Sequence, residues 1–86
     1  MSKCNGWTNA ATWRVQLEVF SGLDAREAVD RMTAPEVAAW ASAYARSIVF
    51  EKADGLARAW ALDFLSDVNW NEIAEHLIDA AQEDAA

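Results

Sequence analysis

The residues of this 86-residue chain best suited to chemistry by type and spacing are acidic. Glu72, Glu75, His76, Asp79 and Glu83 follow one another at spacings of 3, 1, 3 and 4, which lines them along one face of a helix. At about 1.5 Å of rise per residue, acids three or four apart lie roughly 5–6 Å apart, near the spacing of successive phosphates along a nucleic-acid strand. Asp63 and Asp67, four apart on the preceding predicted helix, extend the row. Such a stripe has two readings. It is a surface that imitates nucleic-acid charge and attracts a basic protein groove, or it is a solvated face that keeps the chain soluble. The placement works against the helix. A helix C-terminus favours cations by roughly 0.3–1 kcal/mol each, yet Glu83 and Asp84 sit there. Like charges four apart add a small further penalty.

Other chemistries find less material. Glu72, Glu75 and His76 lack the second His or the Cys that a metal site of this kind needs, so no metal and no cofactor is expected. Cys4 and His76 stand at opposite ends of the chain, and nothing around Cys4 marks it as a low-pKa thiol. None of the five Ser lies in a nucleophile motif. Gly6, Gly22 and Gly55 are too far apart to form a phosphate-cradling loop. The expectation is a protein that binds rather than catalyses.

The charge balance sharpens this. Seven Lys and Arg against fourteen Asp and Glu give −7 with His76 neutral. Residues 1–58 hold all seven bases and seven of the acids, and so sum to zero. Residues 59–86 hold no base and carry Asp63, Asp67, Glu72, Glu75, Asp79, Glu83 and Asp84. An acidic chain disfavours direct binding to nucleic-acid phosphates or to an anionic membrane. Hydrophobic residues make up 53%, far above a disordered acidic tail, so one folded domain over 1–86 is expected. Cys4 has no partner in the chain, which fits a reducing compartment. The polar N-terminus MSKCNGW has no apolar signal core, and no run approaches the ~20 apolar residues of a membrane span. The expected location is the cytoplasm of a host cell.

The elements that must position the stripe read as helices. Thr8 or Asn9 caps a first helix, on which Ala10, Trp13, Leu17 and Phe20 share a face. Trp13, Val15, Leu17 and Val19 also alternate with polar residues, as in a strand, but no second strand is visible to pair with it. Trp7 precedes the cap and is suited to stapling onto that helix or to stacking on a partner. Asp24 caps a short helix through Met32, with Ala25, Ala28, Val29 and Met32 inward. Thr33-Ala34-Pro35-Glu36 is a capping box opening a helix with Val37, Trp40, Ala41, Tyr44, Ile48 and Val49 inward, ending near Asp54-Gly55. A fourth helix, from about Leu56 to Ser66, turns Leu56, Trp60, Phe64 and Leu65 inward. Asn69-Trp70-Asn71-Glu72 is a second capping box, opening a last helix with Trp70, Ile73, Ala74, Leu77, Ile78 and Ala81. The fold expected is an all-α bundle of four or five short helices. Five Trp exceed what so small a core easily hides, which points to a partner or homodimer interface.

Gly6-Trp7-Thr8-Asn9-Ala10-Ala11-Thr12-Trp13-Arg14-Val15-Gln16-Leu17 resembles the N-terminus of a family of small phage- and plasmid-borne proteins, roughly G-W-T-N-Y-E-T-W-x-V-x-L-W. Val68-Asn69-Trp70-Asn71-Glu72-Ile73-Ala74-Glu75-His76 is similar to that family's V-N-W-x-E-I-A-x-H segment. Ala10-Ala11 replace its Tyr-Glu, and Glu18 stands where it has an aromatic. The resemblance implies a small helical domain of a mobile element and brings no catalytic residues. By analogy of class, small acidic proteins of mobile elements act as anti-CRISPR and anti-restriction inhibitors. The leading expectation is therefore an inhibitor of a host defence complex, such as a CRISPR effector. Asp63, Asp67, Glu72, Glu75, Asp79 and Glu83 would occupy that partner's nucleic-acid channel as a DNA mimic. The rival expectation is a structural or regulatory module that self-associates through apolar surface.

Overall fold

The computed structural model describes the backbone of residues 6–85 and the side chains of residues 6–82. Five α-helices follow in order: α1 Ala10–Val15, α2 Ala25–Ala28, α3 Ala34–Lys52, α4 Gly55–Leu65 and α5 Trp70–Ala85. A π-helical segment, Gln16–Phe20, continues α1 without a break. The first element is thus a helix, and the described residues contain no sheet. Lys3 and Cys4 lie outside the described residues.

The core is built around α5, which packs against α3 on one side and α2 on the other. The inward ridge of α3 is Val37, Ala41 and Ala45, spaced four apart and buried. Its two alanines let α5 approach closely enough to bury Ile73, Ala74 and Leu77 almost completely. Thr33 opens α3 with the expected reciprocal box. Its hydroxyl oxygen accepts from the Glu36 amide (3.4 Å), and its own amide donates to Glu36 Oε1 (2.8 Å). The Thr33 amide, and after it the Thr33 hydroxyl, favour the ionised form of Glu36 and hold its pKa below the usual carboxylate value.

The π segment decides what the first helix buries. In an α-helix, Val15 would share its face with residues 18 and 19. The wider π turn brings Phe20 under Val15 instead, and both are buried. Phe20 then sits against Trp40 (6.1 Å between centroids) and Tyr44 (5.9 Å), which stack on each other at 5.3 Å. The register of the first helix differs accordingly from its α-periodic reading. Ala11, Thr12 and Val15 are buried, whereas Ala10 and Leu17 face solvent and Trp13 is half-buried.

Three other expectations are corrected. Tyr44, expected inside on α3, is 38% exposed beside Trp40. The second helix is a single turn, although Asp24 caps it by accepting from the Glu27 amide (3.3 Å). Arg31 takes a left-handed conformation (φ 63°) that ends helical continuation before Thr33. On α4 the inward face is Arg58, Ala61, Leu62 and Leu65. Leu56, Trp60 and Phe64, expected inside, are 64%, 69% and 41% exposed. The helix carries apolar side chains on both sides, and α3 covers only one of them. The guanidinium of Arg58 fixes the α3–α4 corner by donating to the carbonyls of Phe50 (2.8 Å) and Ala53 (2.9 Å) while lying 4.5 Å over the Phe50 ring.

Candidate functional site

The outer face of α5 carries the candidate site. Its inner face is fixed by Ile73, Ala74 and Leu77, so the 3.6-residue period turns Glu75, His76 and Asp79 outward. All three are exposed, and Glu72 is half-buried. Among the described residues, the ion pairs are Arg14–Glu18 and Asp30–Arg31. Neither involves Asp63, Asp67, Glu72, Glu75 or Asp79. Within residues 59–82 the carboxylates therefore stand without a cation beside them, and the nearest base in sequence, Arg58, is committed to the α3–α4 corner. Glu83 continues the same helix, with its side chain outside the described residues.

The two sequence blocks, far apart in the chain, meet here. The Asn9 side chain caps α1 by accepting from the Thr12 amide (2.8 Å), and its Nδ2 donates to the Asp67 carbonyl (2.8 Å). Asn69 caps α5 by accepting from the Glu72 amide (3.1 Å), and its own amide donates to Thr12 Oγ1 (2.8 Å). Asn69 Nδ2 donates to Thr8 Oγ1 (3.2 Å), and the Thr8 amide donates to Glu72 Oε1 (2.9 Å). The second capping box is thus completed across the molecule. Its Glu receives the amide of Thr8 rather than that of its own cap residue, whose amide goes to Thr12. Thr12 is fully buried with its hydroxyl both donating and accepting. The N-termini of α1 and α5 are locked to each other.

This lock separates the predicted site residues. Glu72 is a structural acceptor as well as an acid of the stripe. Asp67 lies in the turn after α4 rather than on it, its carbonyl held by Asn9 and its carboxylate exposed. Asp63 is exposed on α4, one turn from Trp60. Glu75 and Asp79 are left as the acids of α5 with no hydrogen-bond role of their own. Trp7 folds back onto α5, its ring 4.9 Å from that of His76. With Gly6, Glu72, His76 and Asp79 it lines a shallow depression of about 340 Å³. The acidic face thus has an aromatic neighbour in Trp7, which the sequence reading set against the first helix or a partner and which instead meets His76 of α5.

Among the described residues no three His, Cys, Asp or Glu side chains converge as metal ligands. Comparison with protein-family models, curated proteins and solved structures finds no match. No helix among the described residues is long and apolar enough to cross a membrane.

Proposed function

We propose that this chain acts by binding, and that the acidic face of α5 is the surface that meets a basic, nucleic-acid-binding protein. The observation that carries this is a set of exposed carboxylates without counterions, Glu75 and Asp79 on α5 and Asp67 in the turn that precedes it, in a chain whose first 58 residues are electrically neutral. A solvated face serving solubility alone has no need to gather all of the surplus charge in one third of the chain. Concentrated charge of one sign steers a partner of opposite sign and occupies the place of phosphates in its groove. Trp7, held over His76, adds apolar contact area beside the charge. In its specific form, the chain is an inhibitor of a host defence complex of the anti-CRISPR kind, with a nucleic-acid channel as its target.

The test uses Asp67→Lys, Glu75→Lys and Asp79→Lys together and leaves Glu72 intact, because Glu72 supports the α1–α5 lock. Expression of the native chain restores phage plating on at least one host with an active CRISPR effector. The triple variant, with native helix content by circular dichroism, loses that restoration. Full restoration by the triple variant contradicts the proposal, as does the failure of the native chain in every such host tested.

A further inference from the structure

Leu56, Trp60 and Phe64 recur at i, i+4 and i+8 along α4 and form one outward ridge, 64%, 69% and 41% exposed. Phe64 also borders a groove of about 470 Å³ whose lining includes Val15, Val19, Val49 and Ala61 together with the Arg14–Glu18 ion pair, so apolar surface continues from the ridge into a concavity that also carries one paired cation and acid. We propose that this ridge is a homodimer interface, with α4 of a second copy lying antiparallel across it. Three observations favour a second copy of this chain.

The first is area. At roughly 150–250 Å² per aromatic side chain, the exposed parts of these three residues amount to about 400 Å². Two copies meeting on the same ridge bury about 800 Å² from these side chains alone. Ala57 and the groove walls bring the total to about 1,000 Å², the lower bound for a specific interface. Ridges four apart on both helices are also the commonest packing between helices.

The second is charge. Within Gly55–Leu65 the charged residues are Arg58, turned inward, and Asp63. The ridge is therefore nearly neutral in a chain of −7, and self-contact here avoids the repulsion that α5 would impose. Antiparallel pairing about Trp60 places Leu56 of one copy against Phe64 of the other. It also sends the two Asp63 carboxylates to opposite ends, whereas parallel pairing would put them side by side. A two-fold axis through Trp60 satisfies both demands with one self-complementary surface.

The third is rigidity. The Arg58 bonds to the Phe50 and Ala53 carbonyls hold α4 against the end of α3, so little ordering remains to oppose association.

Sedimentation equilibrium over a concentration series tests the proposal. The native chain passes from 9.5 kDa to twice that mass, with a midpoint of about 1–100 μM, in the weak range for an interface of this size. Trp60→Asp and Leu56→Glu, at exposed positions, each keep the native helix content and remain monomeric across the series. A native chain that stays monomeric to about 1 mM overturns the proposal and leaves the ridge to a different protein. A dimer that survives both substitutions overturns it too, by placing the contact elsewhere.

Discussion

Thr12 shows how much one side chain decides here. It is fully buried, and its hydroxyl serves two helix caps at once, donating to Asn9 Oδ1 and accepting from the Asn69 amide. Thr12→Val keeps the shape and leaves both partners short of a bond. The expected loss, read by urea denaturation, is about 1–3 kcal/mol, the cost of a buried polar group left unpaired. Thr12→Ser, which keeps the hydroxyl, loses less. Glu36 gives a pH-dependent counterpart. Its pKa is lowered in the folded chain by the Thr33 bonds, so its contribution is complete above the ordinary carboxylate range and disappears as pH falls through the lowered value. Glu36→Gln therefore flattens the stability loss measured below about pH 4 and changes little of the profile near neutrality. The Thr33 box was readable in the sequence because both of its bonds are local. The Asn69 box was half readable. The distance between Thr8 and Glu72 is 64 residues in sequence, and no local pattern announces that Glu72 turns to the far segment.

At the scale of the element, helical periodicity located α5, whose apolar and polar residues separate around the helix, and most of α3, where Tyr44, expected inside, is exposed. It misread the first helix because the pattern assumed 3.6 residues per turn throughout. α1 buries Ala11, Thr12 and Val15 in place of Ala10, and the π segment at Gln16–Phe20 then brings Phe20, expected inside, under Val15. Within that segment, the side-chain Oε1 of Gln16 is buried without a hydrogen-bond partner among the described residues. It misread α4 for a different reason. The helix has two apolar faces, and Leu56, Trp60 and Phe64 drew the inward assignment with Leu65, whereas Leu65 alone of the four is buried, beside the half-buried Ala61 and Leu62. The end of α2 rests on Arg31, an exposed residue in left-handed geometry (φ 63°). Glycine adopts that geometry without the Cβ clash. Arg31→Gly is expected to be neutral or to raise stability by up to about 1 kcal/mol, measured as a shift in the urea midpoint. A fall of that size would show instead that the Arg31 side chain contributes where its exposure indicates it does not.

Across the whole molecule, the charge map and the helix map divide the labour. Residues 1–58 sum to zero charge and include the frame of α1, α2 and α3. The segment from Asp63 to Asp84 carries the surplus charge, and α4 carries the exposed apolar ridge. The all-α class and the acidic face were legible from composition and spacing, because both depend on residue type along single helices. The cross-molecule lock and the exposed ridge were not, because they depend on which helices meet. The lock also changes how the stripe is read. Glu72 belongs to the scaffold, and Glu75 with Asp79, joined by Asp67, form the part of the row free to meet a partner. Such a partner is held largely by charge, so its affinity falls steeply with ionic strength.

The most direct measurement is competition on a purified CRISPR effector, the class of target proposed for the acidic face. A labelled nucleic-acid ligand of that effector is titrated with the native chain and with the Asp67→Lys, Glu75→Lys, Asp79→Lys variant, at low and at physiological salt. The account predicts that the native chain displaces the nucleic acid, more weakly as salt rises, and that the variant displaces none. Equal displacement by both proteins, or binding of the native chain that leaves the nucleic acid in place, would contradict it.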